Sequence, residues 1–213
     1  MVRNTVTMLV LGCIALAMSA LQWGELPDPV PMHWNLQGEV DGWASRWVGA
    51  FAIPAVIVFM PGIVWLVRKA GIRKDNIEAS LAGISAILLS IVVFFLVLHA
   101  MLLRAAVSVD QSLDPGALGI AVGVLFVALG RALPTLQSNF FAGIRTPWTL
   151  SSDTIWKQTH QFGGACFVLA GMVAVVSAVL WPQRLWVSFA ILFWGCITPV
   201  FYSFVAFRKE NRD

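Results

Sequence analysis

The chain has 213 residues, of which 59% are hydrophobic and only 12% charged, with a mean hydropathy of +0.81. That leaves too little polar surface to clothe a water-soluble domain, so a soluble globular fold is excluded. The net charge of +3 is spread over the turns between apolar runs and makes no case for nucleic acid as a partner.

A membrane helix needs about 20 mostly apolar residues to cross a hydrocarbon core about 30 Å thick. Stretches 4–22, 47–67, 79–103, 116–134, 160–180 and 185–207 each meet that requirement. The expected fold is therefore an all-α integral membrane protein with six transmembrane helices. The first stretch follows Arg3 and ends in small residues, as a secretory leader would. Its cleavage-like site at Met18-Ser19-Ala20 is a poor match and the apolar run is long, so it reads as a retained helix. Cys13, Cys166 and Cys196 fall inside the spans without a C-x-x-C pair. They suggest neither a disulfide framework nor a zinc site, and no cofactor is expected.

The first long loop, 23–46, contains "PDPVPMHWNLQGEVDGWASRW". Pro27, Pro29 and Pro31 favour extended chain, Gly38 and Gly42 suggest turns, and His33, Asn35, Glu39 and Asp41 are left as polar groups at the membrane surface. A metal site needs three or four converging ligands, and one His with scattered carboxylates falls short. The loop reads either as a hydrogen-bonded surface element or as a recognition surface for an external ligand. Pro54, Pro61 and Pro199 lie within spans and would free backbone carbonyls that could line a cavity. His99, about one turn from the end of the third span, is expected as a neutral histidine bonded to a carbonyl or a neighbouring helix, with a proton relay as the functional alternative. Gly119, Gly123, Gly164, Gly171, Ala174 and Ala178 would let helix backbones approach closely, within one chain or in a homo-oligomer.

Lys and Arg set the orientation. Arg3, the turn "RKAGIRK" with Arg68, Lys69, Arg73 and Lys74, then Arg131, Arg145, Lys157, Arg208, Lys209 and Arg212 share one side, against Arg46, Arg104 and Arg184 on the other. Both termini are thus expected in the cytoplasm, with loop 23–46 outside. The "RKAGIRK" turn reads as a solvated basic turn beside anionic lipid. Trp23, Trp47, Trp181 and Trp186 fall where an outer aromatic belt would lie, and Trp65 near the inner one.

The second long loop, 134–159, runs into "GIRTPWTLSSDTIWKQTH". Leu136, Phe140, Phe141 and Ile144 have the spacing of a short interfacial helix. Gly143 permits a turn, and Ser151 or Ser152 can cap the next helix with Asp153 in its first turn. Trp156 and His160, at i and i+4, face one side of that helix. Arg145 is expected to fold back onto loop carbonyls near Trp148, Trp156 and His160 as a buried fork of donors. Ser151, Ser152, Asp153 and His160 invite a catalytic triad, but their adjacency at a helix cap is accounted for by capping, so no enzyme is expected.

The first loop resembles a membrane domain of unknown function that carries a P-x-H-x-N-x-x-G-x-x-D-G pattern, with Arg46 near a position where relatives often have Lys. The stretch from Gly143 and Arg145-Thr146 through Trp156 and His160 to Gly164 is similar to the hallmark of the SdpI family of bacterial immunity proteins. The resemblance implies a multi-pass protein of the bacterial cytoplasmic (inner) membrane that counters a secreted membrane-active toxin peptide and signals to a cytoplasmic repressor. It also implies a helix pair with its outer loop over 1–70 and an SdpI-like four-helix region over 71–213, within one compact membrane domain. The expected binding residues are His33, Asn35 and Asp41 outside and Arg145, Thr146, Trp148, Trp156 and His160 inside. The expected partners are membrane lipids, a toxin peptide and a cytoplasmic regulator. A small-molecule or ion transporter or channel, with its site between the two polar loops, is the competing class.

The orientation gives a direct test. A cysteine at Gln37 reacts with an impermeant thiol reagent in intact cells, whereas one at Ser138 does not; labelling of Ser138 alone would invert the topology.

Overall fold

The computed structural model of the protein describes residues 2–35, 39–69 and 73–210. Six helices are long and apolar enough to cross a membrane: α1 (Val2–Gln22), α2 (Arg46–Lys69), α3 (Lys74–Val107), α4 (Pro115–Ala132), α6 (Asp153–Leu180) and α7 (Leu185–Glu210), with a one-turn helix α5 (Pro147–Ser151) before α6. The all-α, six-span membrane architecture expected from hydropathy is the one observed. Loop 23–46 adds a two-stranded antiparallel hairpin, β1 (Val30–Trp34) and β2 (Val40–Ala44). Gln37, Gly38 and Arg212 lie outside the described residues, as does 70–72 of the basic turn. Gly42 is not a turn residue: it stands opposite His33 in the ladder, where a Cβ would come within 2.9 Å of the His33 Cβ.

The helices pack as two groups. In the first, α1, α2 and α3 are mutual neighbours; in the second, α6 packs on both α4 and α7. Helix α3 joins them by also packing on α4. Its 34 residues make a rod about 50 Å long at 1.5 Å per residue, longer than the hydrocarbon is thick. It therefore projects into the polar layer at both ends, where it meets the hairpin at one end and loop 134–152 at the other. The buried apolar cluster runs along it, from Ile77 through Ile84 and Val92 to Leu102, against Met8, Ile57 and Trp156.

The small residues act within this one chain. A Cβ at Gly130 would lie 2.7 Å from the Gly164 carbonyl oxygen, one at Gly164 equally close to that of Gly130, and one at Gly171 2.6 Å from that of Gly123. Helices α4 and α6 thus approach backbone to backbone, the arrangement that replaces hydrophobic driving force when the solvent is itself apolar.

Helix α2 runs on through Pro54 and Pro61, and α7 through Pro199. Proline has no N–H, so the carbonyl four residues earlier loses its helical donor. For Pro54 that carbonyl belongs to Ala50, and Ser19 of α1 donates its hydroxyl to it at 2.5 Å. With its one hydrogen committed there, the Ser19 oxygen accepts from His99 Nε2 at 2.9 Å. One proline-freed carbonyl thus joins three helices through two polar side chains, all of them buried, and the freed group is filled rather than opened to a cavity. His99 is bonded to a neighbouring helix, as expected for a packed neutral histidine.

Both label positions proposed from sequence need replacement, since Gln37 is undescribed and Ser138 is buried; exposed Val109 and Ser151 serve at the two ends. Ser19→Ala lowers detergent stability by about 1–2 kcal/mol. Because Pro54→Ala restores a helical donor to Ala50, Ser19→Ala is less costly in that background. Equal loss in both backgrounds, measured by thermal melts in a double-mutant cycle, would show that Ser19 acts elsewhere.

Candidate functional site

The residues singled out from sequence fall into two clusters at opposite ends of the bundle and do not form one site. Around Arg145–His160, several backbone polar groups are bonded by side chains. Trp156 Nε1 donates to the Leu136 carbonyl at 2.8 Å, and the indole stacks on His160 with centroids 4.0 Å apart and planes 18° from parallel. His160 Nε2 accepts from the Ile144 N–H at 2.9 Å. Its proton therefore sits on Nδ1, which donates to the Trp156 carbonyl at 2.8 Å. Gly143 makes room: its φ of 119° is unsuited to L side chains, and a Cβ there would collide with His160 Nε2.

Thr146 and Thr149 form a reciprocal capping box at α5, with the Thr149 hydroxyl also donating to the Ile144 carbonyl at 2.8 Å. Thr146 Oγ1 lies 3.2 Å from Ser203 Oγ, and Trp148 packs on Phe204 at 5.0 Å, so both tie α5 to α7. Ser152 caps α6 and donates to Glu210 at 3.1 Å, while Ser151 bonds the Trp148 carbonyl. The serines and His160 are therefore spent on caps and loop bonds, Asp153 stands exposed in the first turn of α6, and the four do not assemble as a nucleophile, base and orienting acid.

Two expectations fail here. Residues 136–144 form no interfacial helix. Asn139 Oδ1 accepts from the N–H groups of Phe141 and Ala142 at 2.8 and 2.9 Å, and Ser80 Oγ accepts from that of Gln137 at 2.8 Å. Side chains thus capture the groups a helix would need. Arg145 does fold back, donating to the Phe140 carbonyl, but its side chain is exposed, so it is no buried fork.

The inward bonding expected of Arg145 is made instead by half-buried Arg73, from the turn expected to be merely solvated. It donates to Ser138 Oγ and to the Leu150 carbonyl at 3.1 Å, lies over the Phe140 ring at 5.2 Å and sits 4.0 Å from Asp153. Asn76 adds a bond to the Ser138 carbonyl at 2.8 Å. Sequence reasoning missed Arg73 because one basic residue among four in a turn looks like its neighbours. The readable signal was the polar Asn76 and Ser80 on the first turns of an otherwise apolar span.

At the other end His33 pairs with Asp41 across the hairpin, and Asn35 Nδ2 donates to Glu39 at 3.0 Å. Three of the expected residues, His33, Asn35 and Asp41, are thus together on one hairpin. Trp34 Nε1 donates to the Gln111 carbonyl at 2.8 Å, pinning the hairpin to the α3–α4 turn. In that turn Ser112, with Ser108, holds the Asp110 carboxyl below its ordinary pKa by hydrogen bonding. Beneath the hairpin lies an open cavity of 710 Å³, lined by Trp34, Leu98, Leu102, Leu118, Leu185 and Phe189 among others, with His33 and Asn35 at its edge.

Comparison with known proteins follows the same division. Residues 135–203 match the SdpI/YfhL protein family, and residues 10–58 match a domain of unknown function, DUF1648. Over 210 residues the chain is 22% identical to the protein of Bacillus subtilis (strain 168) named Immunity protein SdpI, with 98% of each chain covered. No solved structure matches the chain.

The two arginines make opposite predictions. Arg73→Ala leaves the Ser138 hydroxyl and Leu150 carbonyl without their donor and lowers stability by about 1–3 kcal/mol. Arg145→Ala gives up one exposed bond and melts within about 0.5 kcal/mol of wild type. Thermal melts of both variants in one detergent check this, and a larger loss for Arg145 would reverse the assignment.

Proposed function

We propose that this chain, a multi-pass bacterial membrane protein, belongs to the SdpI/YfhL protein family and is an immunity protein that protects its host from a secreted membrane-active peptide met at the hairpin end. The observation that carries this reading is the end-to-end alignment with a named immunity protein, 98% of both chains. A shared fragment would speak only for a fold, whereas colinearity over all six spans includes both polar caps.

The charge distribution supports the orientation. The hairpin end has six carboxylates, Glu25, Asp28, Glu39, Asp41, Asp110 and Asp114, against Arg46, Arg104 and Arg184. The opposite end holds the remaining eleven Lys and Arg and five acids. By the positive-inside rule that end and both termini are cytoplasmic, which leaves the hairpin where a secreted agent arrives first. His33, Asn35 and Asp41 then form the receiving surface.

Inside, Trp156, His160, Thr146 and Trp148 build a compact cap whose polar groups are largely engaged, and exposed Arg145 and Lys157 are what a cytoplasmic regulator would read. A signalling role in this picture is carried by the surface of the cap, with Trp156 and His160 as its support. The rival transport reading looks instead to His99 between the two ends, whose Nδ1 has no hydrogen-bond partner among the described residues.

Deleting the gene sensitises its host to a membrane-active peptide. Restoring it with His33→Ala, Asn35→Ala or Asp41→Asn gives reduced protection at wild-type protein levels. Survival unchanged across a panel of such peptides counts against immunity, and substrate flux through the reconstituted protein that is lost in His99→Ala would favour transport.

A further inference from the structure

The cavity under the hairpin joins the two helix groups. Leu98 and Leu102 come from the last turns of α3, Leu118 from the start of α4, and Leu185 and Phe189 from the start of α7, with Trp34 as roof. Leu98 and Leu118 are only half-buried and Phe189 is exposed, so apolar surface remains uncovered in a space open at the membrane boundary. Its volume of 710 Å³ lies within the range of sites that hold a small ligand or a few side chains, roughly 300–1,000 Å³. The roof is held by the Trp34–Gln111 bond, so the space is preformed.

The rim differs in kind from the walls. His33 and Asn35, among the lining residues, are bonded to the carboxylates of Asp41 and Glu39, while Asp114 caps α4 and faces a neighbouring pocket with Arg104. Arg184, next to lining Leu185, is the countercharge nearest in sequence. The end as a whole carries twice as many carboxylates as guanidiniums. Such a field draws cations and repels anions before contact. A lipid chain would satisfy the walls but is indifferent to the carboxylates, whereas an anionic ligand is opposed by them.

We propose that this cavity binds the apolar face of a cationic amphipathic peptide, with apolar side chains between α3, α4 and α7 and cationic ones on the Glu39 and Asp41 carboxylates. The biological setting rests on the immunity reading above, while the binding chemistry stands on the walls and rim alone.

The test uses the full chain in nanodiscs of zwitterionic lipid, with empty nanodiscs as the baseline. The probes are a fluorescent Leu/Lys amphipathic helix about five turns long carrying one photoreactive leucine, its Leu/Glu counterpart, and lysophosphatidylcholine as competitor. The Leu/Lys peptide binds saturably and more weakly as salt rises, and the Leu/Glu peptide binds at least about tenfold less tightly. Photolysis attaches the probe within 98–102, 113–118 or 185–189. Leu118→Trp, which fills the cavity, weakens binding about tenfold. Equal binding of both peptides, or displacement by lysophosphatidylcholine as effective as by unlabelled peptide, marks a lipid-chain pocket and overturns the proposal, as does attachment confined to other segments. If Leu118→Trp fails to fold, attachment sites on wild type still decide. A folded Leu118→Trp protein that binds no peptide yet protects cells fully removes the cavity from immunity but leaves the immunity reading intact. Wild-type binding without protection does the reverse.

Discussion

A backbone carbonyl without a donor in hydrocarbon has no water to turn to, and a contact among three helices follows from how one such group is supplied. The Ala50 carbonyl, stripped of its helical partner by Pro54, is that group. Ser19 reaches it from the next helix and is held in turn by His99. A local defect in one helix thereby becomes a contact among three. The same constraint favours few polar residues in the spans, because one that is not bonded within the chain costs more than it contributes.

At the membrane boundaries the requirement takes another form. Residues 136–146 form neither helix nor strand, and many of their backbone groups are met by Asn76, Ser80, Asn139, Trp156, His160, Arg145 and Thr149. This density of side-chain bonds makes a loop as definite as a helix turn. It also limits what the loop residues can do, because a histidine with both nitrogens engaged and stacked on an indole is a strut. A regulator would therefore meet a shaped surface, and chemistry at His160 would first have to dismantle it. The hairpin end is less consumed. There Trp34 and Gln111 hold a roof over uncovered apolar walls, and the carboxylates stand at the edge, so recognition is better placed on that side.

Helix α3 connects these two ends. It is long enough to emerge from the hydrocarbon on both sides, offering Asn76 and Ser80 to the inner loop and Leu98 and Leu102 to the cavity. Because it also packs on α4 of the second group, movement of α4 against it would be felt along its length. The near-contact of the α4 and α6 backbones at Gly123, Gly130, Gly164 and Gly171 makes those two helices a stiff unit, so such movement is of the pair.

The number and approximate position of the spans, the six-helix class, the i, i+4 pairing of Trp156 with His160 and a serine cap at 151 or 152 were all determined by the sequence itself. Transfer into hydrocarbon sums over neighbouring residues, and caps and i, i+4 pairs are local too. The tertiary structure alone decided that Arg73 rather than Arg145 is the inward guanidinium, that residues 136–144 are looped, that Gly42 faces His33, that the glycines serve this chain's own packing and that a cavity lies beneath the hairpin. Apart from the local Asn139 bonds, these depend on partners 57 to 80 residues apart, such as Ser80 with Gln137 or Ser19 with His99, or on the closeness of two backbones. Pairing of this kind is set by the geometry of packed helices, and no sum over local composition contains it.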